Sequence, residues 1–259
     1  MANAALRKNK KVYSLGPIIH NPQVVDRFSK KGLKVIKSVR KEVLKGASLV
    51  IPSHGIDLSI LGAKCSRFID TTCPFVRRVQ EIIKRLKKEG YFIIIVGDKE
   101  HPEVKALASI AGKNCCILKN KKEAKRLKFK AKKLALISQT TASLLSFKEI
   151  LSEVAKGDFK ELVGYNTVCK NTIDRQAKAA LLAGKVDAMI VIGGKNSANT
   201  SRLAEICKCI NANTYHIEHE GNLNTSLLRN KKTIGIATGA STPPYAINEV
   251  KEKIRRINQ

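Results

Sequence analysis

Short runs of β-branched and other apolar residues alternate along the chain with longer amphipathic stretches. Buried strands are predicted at 12–15, 47–51, 92–96, 134–137, 188–192 and 234–237. Helices are predicted at 76–89 and 175–184, where Gly90 and Gly184 act as stop signals. Because strands alternate with helices, the pattern predicts an α/β fold with parallel sheets.

A near-repeat relates two parts of the chain that lie 96 residues apart. The segment Asp-Thr-Thr-Cys at 70–73 recurs as Asn-Thr-Val-Cys at 166–169. The same shift carries the predicted strand 92–96 onto the predicted strand 188–192. Two equivalent units, each introduced by a cysteine, are therefore expected.

A third copy of the repeat is only partly present. It contains the strand 12–15, then Gly16, then His20 at the spacing seen in the second copy, but its cysteine position falls upstream of Met1. We therefore expect the third of three cysteines to lie in a segment before Met1.

The repeat predicts three similar α/β lobes at residues 1–73, 74–165 and 166–259. Their small, mostly parallel sheets are expected to have pseudo-threefold symmetry around a central site. Ligands of open parallel α/β sheets bind beyond the carboxyl ends of the strands. The strand ends of all three lobes can therefore face one site.

Composition and charge exclude several classes of protein. The hydrophobic content of 43% is too high for a disordered chain, and no apolar run approaches the roughly 20 residues of a membrane span. The N-terminus has no apolar signal region, which predicts a cytoplasmic protein. A net charge of +28 suits a nucleic-acid partner, but the basic residues are scattered and aromatic residues are only 5%. Nucleic-acid binding is therefore a rival reading supported by charge alone.

Polar side chains that could bind a ligand or take part in catalysis are found at the predicted strand ends. They are His20, His54, His101, Glu103, Thr140, Ser197, Asn199 and Ser241. Hydroxyl, amide and imidazole donors suit a phosphorylated small molecule. Glu103 is the natural proton donor if burial raises its pKa; the alternative, a glutamate that only complements a helix dipole, stays open.

The seven cysteines are expected to be reduced, because the chain is large and has no secretion signal. Five of them follow no repeat and are interpreted as small buried or incidental thiols: Cys65, Cys115, Cys116, Cys207 and Cys209. Three cysteines at a pseudo-threefold centre can hold an iron–sulfur cluster with one iron open to substrate.

These features resemble the 4-hydroxy-3-methylbut-2-enyl diphosphate reductase family, the last enzymes of the methylerythritol phosphate route to isoprenoids. The motifs are Gly-Pro-Ile-Ile-His-Asn-Pro at 16–22, Ser-His-Gly at 53–55, Asp-Thr-Thr-Cys-Pro at 70–74, His-Pro-Glu-Val at 101–104, Gln-Thr-Thr at 139–141, Asn-Thr-Val-Cys at 166–169, Asn-Ser-Ala-Asn-Thr-Ser-Arg-Leu at 196–203 and Thr-Gly-Ala-Ser at 238–241. They cover nearly the whole chain.

The resemblance implies an iron–sulfur oxidoreductase with a central 4Fe–4S cluster, reduced by a ferredoxin or flavodoxin. Its substrate is an allylic diphosphate, which it converts to isopentenyl and dimethylallyl diphosphate. Cys73 and Cys169 would be cluster ligands, and Glu103, Thr140 and His101 would be catalytic. The residues implied to bind substrate are His20, His54, His101, Thr140, Ser197, Asn199 and Ser241.

The chain departs from the family pattern at two places. The family opens with a Gly-Phe-Cys-x-Gly-Val-type turn that supplies the first cluster cysteine, and this turn is absent between Met1 and the first predicted strand. Ala198 stands where many relatives have a second serine beside the diphosphate. An inactive relative of the same fold, which binds a phosphorylated ligand without a cluster, is the alternative that these departures favour.

Overall fold

The computed structural model of the chain describes residues 1–8, 11–37, 46–56, 67–127 and 130–256. The helices are α1 (Ala2–Lys8), α2 (Pro22–Lys30), α3 (Pro74–Lys88), α4 (Pro102–Ala111), α5 (Lys121–Lys125), α6 (Leu144–Val154), α7 (Lys170–Ala183), α8 (Ala198–Ile210) and α9 (Pro244–Arg255). The strands are β1 (Val12–Leu15), β2 (Leu33–Ile36), β3 (Ser48–Ile51), β4 (Arg67–Asp70), β5 (Phe92–Val96), β6 (Cys115–Leu118), β7 (Lys133–Ser138), β8 (Glu161–Tyr165), β9 (Ala188–Ile192), β10 (Thr214–Ile217) and β11 (Ile234–Thr238).

The predicted strands are all present, whereas the two predicted helices begin too late. Helix α3 begins at Pro74. A proline loses no hydrogen bond at the first helical position, because the amide there has no partner within the helix. Helix α7 begins at Lys170 rather than at residue 175. Its first turn is polar and carries no apolar periodicity, so the sequence pattern did not reveal it.

The strands form three small parallel sheets that repeat one topology. Their strand orders are β2-β1-β3-β4, β6-β5-β7-β8 and β10-β9-β11. In each sheet the first strand of the repeat is flanked by the second on one side and by the third on the other. The prediction of three similar α/β lobes with small parallel sheets is confirmed.

The contacts divide the chain into two compact units. The first unit comprises Met1–Ile19 and Arg27–Cys169, and the second comprises His20–Asp26 and Lys170–Gln259. The first unit thus contains two of the sheets and the second contains the third. Lobe boundaries at residues 73 and 165 stay a prediction.

Burial on both faces explains the uninterrupted apolar sequence of β5. Ile93 and Ile95 pack with the apolar sides of α3 and α4, whereas Ile94 and Val96 pack with α6 on the opposite face. A strand covered by helices on both faces needs no polar alternation. This packing holds the carboxyl end of β5 and the loop that follows it in a defined position.

Within the described ranges, no helix is long and apolar enough to cross a membrane. Of the cysteines outside the repeat, Cys115 and Cys116 lie in β6 and Cys207 is buried in α8. Cys209 is exposed, and Cys65 lies outside the described residues.

Candidate active site

The two repeated cysteines occupy turns that the backbone anchors in the same way. The Cys73 amide donates to the carbonyl of Ser53 at 2.9 Å, and the Cys169 amide donates to the carbonyl of Thr140 at 2.8 Å. Each acceptor lies two residues beyond the end of a strand, β3 in one case and β7 in the other. The strand ends of the first unit therefore fix the position of both cysteines.

Side chains of the two cysteine turns repeat the same hydrogen bonds. The Oδ1 atoms of Asp70 and Asn166 each accept from the amide two residues ahead, at 2.9 and 3.2 Å. The Oγ1 atoms of Thr71 and Thr167 each donate, at 2.5 Å, to the carbonyl of the last residue of the neighbouring strand. The turns differ in charge, because Asp70 also accepts from Arg77 at 2.7 Å.

The cysteine side chains fit part of a cluster site. Cys73 and Cys169 are free, half-buried thiols in matched turns, and thiolates are the usual ligands of iron–sulfur clusters. In the part of the chain that the structure describes, no three His, Cys, Asp or Glu side chains are grouped to hold a metal ion. The assignment of Cys73 and Cys169 as cluster ligands stays a prediction.

Glu103 is a buried carboxyl group at the start of α4, only 2% exposed. Its Oε1 accepts from the Thr140 amide at 2.6 Å, and its Oε2 accepts from Thr140 Oγ1 at 2.8 Å. Burial raises the pKa of Glu103 to about 7, and the two hydrogen bonds from Thr140 oppose this rise. A carboxyl group with a pKa near 7 can hold and release a proton near neutral pH, as a general acid requires.

Two histidines of the first unit have one ring nitrogen engaged by the backbone. His101 caps α4, and its Nδ1 accepts from the Glu103 amide at 3.1 Å. A neutral His101 ring therefore carries its proton on Nε2, where it can donate to a ligand. His54 is buried, and its Nδ1 lies 2.9 Å from the carbonyl of Gly55, to which it can donate.

In the second unit, two predicted substrate residues lie at the N-terminus of α8. Ser197 is the N-cap, and its Oγ accepts from the Thr200 amide at 3.4 Å. Asn199 is 7% exposed, and its Oδ1 accepts no hydrogen bond from the described residues. The N-terminus of a helix attracts anions through its free amides and its dipole.

Asn21, which sequence reasoning did not select as a site residue, follows His20 in the chain and contacts Ser241 in the second unit. Asn21 is buried; its Nδ2 donates to the carbonyl of Ser241 at 3.1 Å, and its Oδ1 accepts from the Val24 amide at 3.1 Å. An asparagine before a proline is a helix-start signal, so the hydrogen bond with the Val24 amide could be predicted from the sequence. The hydrogen bond with Ser241, 220 residues away, could not. Burial lowers the pKa of the neighbouring His20.

Thr200 is a second residue that the sequence did not single out. A Cβ on Gly239 would lie 2.1 Å from Thr200 Oγ1, and a Cβ on Gly193 would lie 3.0 Å from it. Gly193 also has a φ of +148°, which residues with a Cβ rarely adopt. Two glycine turns thus close around a fully buried threonine and shape the end of this sheet.

The predicted site residues divide between the two units. Those of the first unit are His54, Cys73, His101, Glu103, Thr140 and Cys169. Those of the second unit are His20, Ser197, Asn199 and Ser241. Direct contact between predicted residues is seen for Glu103 with Thr140, for Glu103 with His101 and for Cys169 with Thr140.

Comparison with known proteins identifies the family of this chain. The family described as LytB protein matches residues 1–255. The chain belongs to the LytB family. A LytB relative from Caldanaerobacter subterraneus subsp. tengcongensis is 46% identical over 255 residues, which cover 97% of this chain and 88% of the relative. A relative from Geobacter metallireducens is 42% identical over 262 residues, which cover 100% of this chain and 91% of the relative. Both are named 4-hydroxy-3-methylbut-2-enyl diphosphate reductase.

Solved structures of LytB proteins are similar over the same length. A structure of (E)-4-hydroxy-3-methyl-but-2-enyl diphosphate reductase, the terminal enzyme of the non-mevalonate pathway, is 38% identical with a TM-score of 0.68. It covers 98% of this chain and 92% of its own. The structure of the Plasmodium falciparum reductase is 25% identical, with a TM-score of 0.88. The match covers 100% of this chain and 82% of the Plasmodium falciparum chain.

Proposed function

We propose that this chain reduces 4-hydroxy-3-methylbut-2-enyl diphosphate, the reaction for which its relatives are named. The substrate loses its allylic hydroxyl, two electrons and two protons are added, and the products are water with isopentenyl or dimethylallyl diphosphate. The observation that carries the proposal is Glu103, a buried carboxyl with a pKa of about 7 bonded to Thr140. The names of the relatives do not favour the alternative of an inactive phosphate-binding protein.

Cys73 and Cys169 would hold a 4Fe–4S cluster, together with the third cysteine that the repeat predicts. Their matched turns and free thiols support this assignment. The cluster would supply the two electrons that break the carbon–oxygen bond. The Asp70 and Asn166 side chains keep the two cysteine turns in shape.

The diphosphate would bind to hydroxyl, amide and imidazole side chains. Ser197 and Asn199 offer donors at the N-terminus of α8, where the helix dipole favours an anion. The remaining residues proposed to bind it are His20, His54, His101 and Ser241. His101 would donate from Nε2, because its Nδ1 accepts from the backbone.

Glu103 would supply the proton that converts the departing hydroxyl to water. Thr140 Oγ1 donates to Oε2 when Glu103 is ionised. When Oε2 carries the proton, it can donate to Thr140 Oγ1 instead, and the threonine hydroxyl can then orient the allylic alcohol or pass a proton to it. Burial raises the pKa of Glu103, and this keeps the proton available near neutral pH. A ferredoxin or flavodoxin as electron donor and a cytoplasmic location stay predictions.

The test combines iron analysis with turnover. Iron, sulfide and the visible spectrum are measured under anaerobic conditions on this chain and on a version extended by its upstream reading frame. Turnover is measured with the allylic diphosphate and viologen reduced by dithionite. About four irons per chain and production of the two diphosphates by the extended version support the proposal. If neither version binds iron or turns over substrate, the proposal is wrong.

A further inference from the structure

Asn21 is a buried asparagine that links the neighbourhoods of two proposed diphosphate ligands. It follows His20 in the turn before α2 and is only 3% exposed. Its Nδ2 donates to the carbonyl of Ser241, which lies 220 residues away in the sequence but in the same compact unit. A single side-chain amide therefore ties the residue after one proposed ligand to the backbone of another.

The orientation of the Asn21 amide group is determined by its two partners. The Val24 amide can only donate, and it donates to Oδ1 at 3.1 Å. The carbonyl of Ser241 can only accept, so Nδ2 must face it, at 3.1 Å. Both polar atoms of the side chain are thus in use. One caps the start of α2, and the other holds the turn after β11.

The turn that carries Ser241 is also tied to the end of β9. The Gly239 amide and Thr242 Oγ1 both donate to the carbonyl of Ile192, each at 2.9 Å. Within the part of the chain that the structure describes, Asn21 makes the one hydrogen bond with Ser241 itself. The bond from Asn21 therefore sets the position of Ser241 relative to the segment before α2.

The segment before α2 packs closely on the glycine turn that follows β9. A Cβ on Gly194 would lie 3.1 Å from the carbonyl oxygen of His20 and 3.1 Å from Cδ of Pro22. Glycine permits this close approach, and a larger residue would push the segment away. The contact at Gly194 and the bond with Ser241 together hold the turn that contains His20 against the ends of β9 and β11.

We propose that Asn21 is a positioning residue, which fixes the separation of His20 and Ser241 for a ligand with two phosphoryl groups. The inference rests on the proposed function, because it takes His20 and Ser241 as diphosphate ligands. Side chains on two different turns can engage one diphosphate only when the turns are held at a matching separation. A separation that is fixed before binding lowers the entropy cost of ordering the turns when the ligand arrives.

The test uses two substitutions that keep the cap of α2. Asn21→Ser retains a hydroxyl that can accept from the Val24 amide, but its side chain is too short to reach Ser241 as well. Asn21→Asp retains the acceptor and the size of the side chain and replaces the donor by a second acceptor. The matched controls are Asn224→Ser and Asn224→Asp, at an exposed asparagine of the same unit that accepts from the Ser226 amide.

Binding of pyrophosphate and of orthophosphate to the full chain is measured by calorimetry at a temperature where every variant is folded. Both Asn21 variants should bind pyrophosphate about tenfold more weakly, the loss typical of one buried hydrogen bond. Orthophosphate should bind all variants alike, because a single phosphoryl group does not need two turns at a fixed separation. Both Asn224 variants should bind both anions as the unaltered chain does.

Turnover separates a positioning role from a general loss of structure. In the viologen assay, Asn21→Ser should raise KM for the allylic diphosphate about tenfold and leave kcat nearly unchanged, the pattern expected when ground state and transition state lose the same binding. A misfolded fraction would lower kcat and leave KM unchanged.

Several results would overturn the inference. These are no binding of pyrophosphate by the unaltered chain, equal losses for pyrophosphate and orthophosphate, or unchanged pyrophosphate binding in Asn21→Ser. In the last case, any loss in Asn21→Asp comes from its negative charge. If turnover is present but pyrophosphate binding does not depend on Asn21, the inference fails and the proposed function stands. If pyrophosphate binding depends on Asn21 but no version of the chain turns over the allylic diphosphate, the proposed function fails and the positioning role stands.

Discussion

Replacing Glu103 by Gln removes an ionisable proton from the site while it preserves the size of the side chain. The carbonyl of Gln can still accept from the Thr140 amide, and its amide can donate to Thr140 Oγ1 where the native carboxylate accepts. The substitution therefore changes ionisation far more than packing, and its effect on stability should depend on pH.

The magnitude follows from the pKa. One pKa unit corresponds to about 1.4 kcal/mol, so a rise from 4.5 to about 7 penalises the ionised form of Glu103 by about 3 kcal/mol in the folded chain. Below pH 4.5 the group is protonated in both states and has no effect. Between pH 4.5 and 7 the folded state binds more protons than the unfolded state, so stability falls as pH rises. Above pH 7 the loss is complete.

Urea unfolding of the two proteins at pH 5 and pH 8 measures this difference. Relative to the native chain, Glu103→Gln should gain about 2–3 kcal/mol in free energy of unfolding between these pH values. The control is Glu100→Gln, at an exposed carboxylate whose pKa is lowered by its hydrogen bond with Lys105; it should show no such gain. Parallel pH dependences of the native chain and Glu103→Gln would refute the argument from burial.

The same variant tests the chemical role of Glu103. General acids contribute roughly 10²–10⁴-fold to rates, so Glu103→Gln should lower viologen-driven turnover at least tenfold and leave the iron content unchanged. Native turnover should also decline as pH rises above about 7, because Glu103 then loses its proton. Unchanged turnover in the variant would reject the role of proton donor.

Three further changes have defined outcomes. Cys169→Ser should strip iron and the brown colour from the protein; a retained spectrum would remove Cys169 from the ligands. Gly239→Ala places a Cβ 2.1 Å from Thr200 Oγ1 and should cost about 1–3 kcal/mol in unfolding free energy. Adding Thr200→Ala should recover part of that loss, and strictly additive losses would contradict the proposed contact. Ala198→Ser should tighten inhibition by pyrophosphate several-fold, since one such hydrogen bond contributes about 1 kcal/mol; an unchanged inhibition constant would show that position 198 does not contact the diphosphate.

Much of the fold and several site residues could be predicted from local sequence. The strand 92–96 was recognisable from its apolar run, and the repeat placed Cys73 and Cys169 in equivalent positions. The structure repeats that equivalence in the hydrogen bonds of the two turns. Local sequence was less informative for the start of α7, because its polar first turn has no periodicity from which to predict a helix.

The sequence by itself determined six of the buried strands, the equivalence of the repeats and the residue types at the strand ends, because each depends on local spacing. Only the tertiary structure decided which of these residues meet. Thr140 reaches Glu103 across 37 residues, and Asn21 reaches Ser241 across 220. The pKa of Glu103 depends on its removal from water by packing that surrounds it from distant parts of the chain. Desolvation is a property of the folded surroundings, so no local pattern contains it.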